Sequence, residues 1–263
     1  MKVTIVVDNI EHAGIPGEWG FCAYIEQNGK KLLLDTGASN LFADNAEKLN
    51  IDLKDVDFAV LSHAHYDHAN GMGKFFEINE KAPFYLQEGC GENCYFKKGF
   101  IRKYIGIPKG ITKKYQDRIK YVSGVYTVPD GIYLVSRSTP HLEQIGKKEM
   151  MYQKTKLGWK PDNFCHEQSL VLDTDGGLVI FNSCSHGGVV NIINEVKAAF
   201  PNKKITAHKL RSTYGTSLYK ETGDIYLVAD VLGHKDVNTT KKHYAAIDED
   251  RRRMAASAVK LRE

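Results

Sequence analysis

The sequence predicts an α/β segment over residues 1–205 followed by an all-helical segment over residues 206–263. Three observations support this. Short β-branched and apolar runs alternate with runs of helical period in the first segment. No strand-like run of any length follows residue 205. A tight histidine cluster stands directly after one of the apolar strands. With 263 residues the chain suits one or two domains and can build a substantial core. Hydrophobic residues at 42% and charged residues at 26% exclude a mainly disordered or fibrous chain. No apolar run approaches the roughly 20 residues of a membrane span, and MKVTIVVDNIEH lacks the apolar stretch and cleavage site of a secretory signal. The expectation is a soluble cytoplasmic protein with no membrane partner.

The elements follow in order. VTIVV (3–7), GFCAYIE (20–26) and KLLLD (31–35) read as strands broken by Gly and Asn. ASNLFADNAEKLN (38–50) spaces its apolar residues as a helix does, with Ser39 or Asn40 as the cap. FAVLS (58–62) is a buried strand. Residues 117–135 give short strands with turns at Ser123-Gly124 and Pro129-Asp130-Gly131. SLVLD (169–173) and GLVIFN (177–182) bracket a hairpin signal, Thr174-Asp175-Gly176. GGVVNIINEVKAAF (187–200) is a helix stopped by Pro201. Beyond 205, HKLRSTYGTSLYKETG, DIYLVADVLGH, VNTTKKHYAAI and DEDRRRMAASAVKLRE read as helices.

Charge and cysteines add two constraints. Residues 206–263 carry 11 Lys/Arg against 8 Asp/Glu, so they hold most of the net charge of +4 and suit a nucleic-acid-facing segment. Arg251-Arg252-Arg253, which follows three acidic residues, reads as a solvated helix face. Cys22, Cys90, Cys94, Cys165 and Cys184 are an odd, scattered set and read as reduced thiols rather than a disulfide framework. A structural zinc site built from Cys90, Cys94, Cys165 and His166 is a minor alternative, because nothing in the sequence brings those pairs together.

Residues 61–68, LSHAHYDH, carry the chemistry of the first segment. His63 and His65 alternate along the end of a strand, so their imidazoles point to one side. Asp67 and His68 sit in the following turn and can bind a second ion. Imidazole with carboxylate suits zinc, iron or manganese, and two adjacent ions can activate a water and stabilise a leaving oxygen. HAHYDH resembles the H-x-H-x-D-H signature of the metallo-β-lactamase superfamily. LLLDTGAS (32–39) and SCSHGGVVNII (183–193) resemble its upstream Asp-Thr-Gly element and its later histidine motif. EHAG (11–14) and SCSHGG look most like the branch related to dihydropterin ribofuranosyl-aminobenzene phosphate synthase.

The resemblance covers residues 1–205 and implies an αββα sandwich that hydrolyses an ester, phosphoester or lactone with a metal-activated water. It implies one or two divalent ions, zinc first, with His63, His65 and His186 on one and Asp67 with His68 on the other. Asp67 would also assist proton transfer, and Asp35 would orient a ligand from behind. The last strands and helix of that family, and the histidine they carry, have no counterpart: NKKI (202–205) runs straight into TAHKLR. His208 is the alternative for the last ligand.

Residues 205–247 resemble the C-terminal catalytic stretch of the tyrosine recombinases (phage-integrase family). His208 and Arg211 match the His-x-x-Arg pair, His234 in LGH the second histidine, and Tyr244 the nucleophile. The resemblance implies a tyrosine attacking a DNA phosphodiester while cations and histidines stabilise the phosphorane. It covers only the last 58 or so residues, without the family's other catalytic groups or its DNA-clamping domain. Three readings follow: a metal-dependent hydrolase acting on a small molecule and fused to an incomplete recombinase, a DNA recombination or integration protein using Tyr244, and a chimera in which neither activity is intact.

Overall fold

The computed structural model describes residues 1–203, 224–231 and 237–238. The chain divides into two compact units, Met1–Ile205 and Thr206–Glu263. In the first, β1 (Lys2–Val7), β2 (Cys22–Gln27) and β3 (Lys30–Leu34) pair antiparallel. β4 (Phe58–Val60), β5 (Phe84–Gln87) and β8 (Ile119–Val122) then extend the sheet in parallel, in the order β1-β2-β3-β4-β5-β8. A second, antiparallel sheet runs β14-β13-β10-β9, from β9 (Val125–Val128), β10 (Ile132–Ser136), β13 (Gln168–Thr174) and β14 (Gly177–Phe181).

The period-2 pattern of the strands builds the layers. In β2 and β3, Cys22, Tyr24 and Leu33 face one core with Phe42 of α1 (Leu41–Lys48) and Met72, Phe75 and Phe76 of α3 (Met72–Ile78). Their alternates Ala23, Ile25, Leu32 and Leu34 face Ile132, Leu134, Leu170 and Leu172 across the gap between the two sheets. On the far side of the second sheet, Val135, Val171 and Leu178 pack with Val196 of α6 (Val189–Ala199). Helix, sheet, sheet and helix therefore stack in the αββα order that the sequence resemblance implies. The α1 cap is shared differently from expectation. Asn40 holds the cap position without a side-chain bond, while Ser39 Oγ accepts from the Leu41 N–H at 3.1 Å and donates to Glu18.

A third sheet, β12-β11-β6-β7, was not anticipated. Its strands are β6 (Cys94–Lys98), β7 (Ile101–Tyr104), β11 (Met151–Thr155) and β12 (Gly158–Pro161). They are lysine-rich and show no apolar alternation. Edge-on contacts of Tyr95 with Tyr104 and Trp159, and Arg102 over Trp159, hold them in place of a core. The short helices α2 (Tyr66–Ala69), α4 (Ile111–Lys114) and α5 (Glu143–Lys148) complete the unit.

In the second unit, helix α7 (Ile225–Val231) begins at Asp224, whose carboxylate accepts from the N–H groups of Tyr226 and Leu227. His208, Arg211, His234 and Tyr244 lie outside the described residues. Among the described residues no helix is long and apolar enough to cross a membrane.

Candidate metal centre

The histidine motif leaves the carboxyl end of β4, Asp35 follows the carboxyl end of β3, and residues 183–188 follow β14. In a sheet of this kind the crevice beyond the strand ends is where side chains from separate strands converge. The Nε2 atoms of His63, His65 and His186 are buried and have no hydrogen-bond partner. These three residues offer ligand atoms within 4.8 Å of one another, and so do His63, His68 and Cys184.

Proton positions explain why the lone pairs face inward. Asp35 is fully buried and accepts four hydrogen bonds, from Ser62 N at 2.7 Å, Ser62 Oγ at 2.7 Å, His68 Nδ1 at 2.7 Å and Ser183 Oγ at 2.6 Å. Because the Ser62 hydroxyl donates to Asp35, its oxygen is left to accept from His63 Nδ1 at 2.9 Å. His63 therefore carries its proton on Nδ1 and a bare lone pair on Nε2. The same logic applies to His68: Nδ1–H is committed to Asp35, and Nε2 lies 3.1 Å from Cys184 Sγ. Asp35 itself has φ +60, a left-handed conformation that aspartate tolerates better than most residues, which lets one side chain reach three loops.

The electrostatics agree with ligand chemistry at His63 and His65, whereas His68 and His186 are held toward their charged forms. Burial, reinforced by neighbouring imidazoles, pushes His63 and His65 well below the usual histidine range, so both are neutral at physiological pH. Burial opposes protonation of His68 too, but the Asp35 charge and hydrogen bond outweigh it and push the group up to about 10. Partial desolvation raises the Cys184 thiol, yet hydrogen bonds with His186 and His68 prevail and hold it below its ordinary value. This is the electropositive setting in which a thiol becomes a thiolate ligand.

His186 is placed by a parallel stack of its ring on Phe164, with centroids 4.8 Å apart, and by Glu149 Oε2 at 3.4 Å from Nδ1. Its turn is held from below. Glu167 accepts from the N–H groups of His186 and Gly187, and the buried Arg137 bridges Glu167 and Glu195. A Cβ at Gly187 would lie 2.6 Å from the Arg137 guanidinium carbon, so a larger residue there would have to displace the guanidinium that bridges Glu167 and Glu195.

Of the residues singled out from the sequence, His63, His65 and His186 come together, and His68 joins His63. Asp67 stands at the rim, its Oδ2 3.7 Å from His68 Nε2, without joining a ligand cluster. Cys184 is the ligand-type group that residue reading passed over as a reduced thiol. Its position inside SCSH, two residues before His186, was the available signal. The minor zinc alternative divides: Cys94 and His166 do meet, together with His65 and Asp162, whereas Cys90 and Cys165 are not in that cluster. Beside the motif turn, Tyr66, Asn70, Lys103, Tyr104, Gly106, Pro108 and Lys109 line a cavity of about 290 Å³.

The family profile described as the metallo-beta-lactamase superfamily matches residues 19–263. The chain belongs to this superfamily. The match runs to the last residue, past residue 205 where the motif resemblance stops. An uncharacterized protein of Methanocaldococcus jannaschii is 26% identical over 197 residues, covering 73% of the chain and 72% of that protein. The 7,8-dihydropterin-6-methyl-4-(beta-D-ribofuranosyl)-aminobenzene-5'-phosphate synthase of the same organism is 28% identical over 204 residues, covering 70% of the chain and 66% of the synthase. The crystal structure of Tm1679, a metal-dependent hydrolase of the beta-lactamase superfamily, superposes with a TM-score of 0.63 at 20% identity, covering 92% of the chain and 93% of Tm1679. That likeness is one of fold. Tyrosine recombinase XerH of Campylobacter jejuni matches partially, at 27% identity over 178 residues, covering 64% of the chain and 48% of the recombinase.

Proposed function

We propose that the chain is a metal-dependent hydrolase of a small ester, phosphoester or lactone, working in the cytoplasm. The observation that carries this reading is the convergence of three buried, unpartnered Nε2 lone pairs from His63, His65 and His186. Unpaired buried polar atoms cost stability, and three aimed at one point suit a divalent ion better than they suit one another. His63, His65 and His186 would hold one ion, zinc by this donor set, with iron or manganese as alternatives, and Asp67, His68 and Cys184 would hold a second. A divalent ion bound there supplies polarisation of the scissile group and activation of a water. The chain's own part is to keep His63 and His65 neutral by burial, to orient His63 and His68 through Ser62 and Asp35, and to accept a proton at the Asp67 carboxylate.

Within the three ester classes, the cavity beside Tyr66 favours an anionic substrate. Lys103 and Lys109 line it, with Nζ 5.9 Å from the Tyr66 ring and 4.8 Å from the Tyr104 ring, and phosphate is the group such a wall suits. The 5'-phosphate in the name of the archaeal relative is in keeping with this. The deciding experiment is metal content per chain, by elemental analysis of protein purified without chelator or nickel, followed by hydrolysis of chromogenic phosphoesters, carboxylic esters and lactones. Bound metal that disappears in His63→Ala and His186→Ala, with a phosphoester turned over fastest, is the expected result. A wild-type chain that holds no metal overturns the reading.

The partial recombinase matches and the motif residues His208, Arg211, His234 and Tyr244 support a second reading, in which residues 206–263 contact DNA. A covalent protein–DNA adduct on a nicked duplex that Tyr244→Phe abolishes would establish it. No adduct, and no effect of Tyr244→Phe on metal content, leaves the hydrolase alone or a chimera in which the recombinase part is inert.

A further inference from the structure

His65, Cys94, Asp162 and His166 form a second cluster whose donors, all buried, are those of a zinc site. Its hydrogen bonds assign it another task. The Ala64 N–H, between the two ligand histidines, donates to His166 Nδ1 at 3.1 Å. A nitrogen that accepts carries no proton, so His166 is protonated on Nε2, which donates to Asp162 Oδ2 at 3.0 Å. The other Asp162 oxygen accepts from Phe164 N at 2.8 Å and Gln153 Nε2 at 2.9 Å. Neither His166 nitrogen retains a lone pair for an ion.

The two residues that follow repeat the pattern on different loops. Glu167 accepts from His186 N at 3.0 Å and from Gly187 N, and so holds the second ligand turn. Gln168 donates its backbone N–H to Ser62 O at 2.8 Å and its side-chain Nε2 to Leu61 O at 2.8 Å, and so holds the root of the first. All three side chains are at most 1% exposed.

We propose that His166, Glu167 and Gln168 are positioning residues, three consecutive side chains that tie the His63–His65 turn to the His186 turn and set the spacing of their Nε2 atoms. This rests on the metal-centre reading above. Outer partners of ligand residues commonly account for 10–100-fold in metal affinity, because an ion pays less to bind a cradle that is already arranged.

The test is a cobalt(II) titration of the full apo chain, followed by absorption and by competition with a chromophoric chelator. His166→Asn keeps an acceptor at the Nδ1 place, whereas His166→Gln moves the amide to the Nε2 place and leaves the Ala64 N–H unmet. The expected result is affinity near that of the wild type for H166N and about 10–100-fold weaker for H166Q, at unchanged stoichiometry. Equal, wild-type-like binding by both variants overturns the proposal. So does the loss of a whole equivalent by both, which would make His166 a ligand. A wild-type chain that binds no cobalt overturns the metal-centre reading itself, so the two failures are distinguishable. Should H166Q not fold, hydrogen exchange of the wild-type apo chain decides: strong protection of the Ala64 amide supports the tie, and rapid exchange overturns it.

Discussion

The Nε2 atoms of His63, His65 and His186 come together without a partner. Cys94, Asp162 and His166 cluster with His65 just as closely, yet both His166 nitrogens are engaged and Asp162 already accepts three hydrogen bonds. Both groups have metal-ligating chemistry and both are buried. Residue types and proximity therefore do not separate a site from its support. What separates them is whether the imidazole lone pairs remain after the protein's own donors have been counted: those of His63 and His186 do, and that of His166 does not.

The largest expected effect lies in the unsaturated cluster. His63→Ala or His186→Ala should reduce metal content to background in elemental analysis, while Asp162→Asn, which keeps an oxygen acceptor, should retain wild-type stoichiometry. Loss of an equivalent in Asp162→Asn would erase the distinction between the clusters. Asp35→Ala comes next. It strands four donors around a buried site, and should weaken metal affinity about 10–100-fold while lowering stability by about 3 kcal/mol in chemical denaturation.

Glu167→Ala should be less severe, because Arg137 keeps Glu195. A loss of about 2 kcal/mol in the same denaturation is expected, together with weaker metal binding. An unchanged metal affinity would show that the His186 turn needs no support from below. Cysteine reactivity sharpens the comparison further. Cys90, whose thiol burial pushes up to about 12, should resist iodoacetamide at neutral pH, whereas the exposed Cys184 should be alkylated quickly in the apo chain and protected by zinc. Mass spectrometry of the labelled peptides reads both. The smallest effect is expected at the cavity, where Lys103→Ala should raise KM severalfold for an anionic substrate and leave kcat and metal content unchanged.

Much of the frame was legible in the sequence because burial writes itself as period. β2, β3, β10, β13 and α6 alternate or repeat their apolar residues as the two-sheet sandwich requires, and HAHYDH follows an apolar strand directly. The third sheet was not legible. Its strands are held by aromatic pairs and lysine contacts across strands, which leave no alternation along any one of them.

The sequence by itself determined the alternation of strands and helices and the place of the histidine motif directly after a strand, and its contiguous motifs carried the family resemblance that implied the αββα order. The tertiary structure alone decided that Asp35 joins three loops, that Cys184 faces His68, and that His166, Glu167 and Gln168 hold the two ligand turns. Those roles depend on which acceptor meets which N–H, O–H or thiol across 19 to 148 positions of chain, and no local pattern of residues records such a pairing.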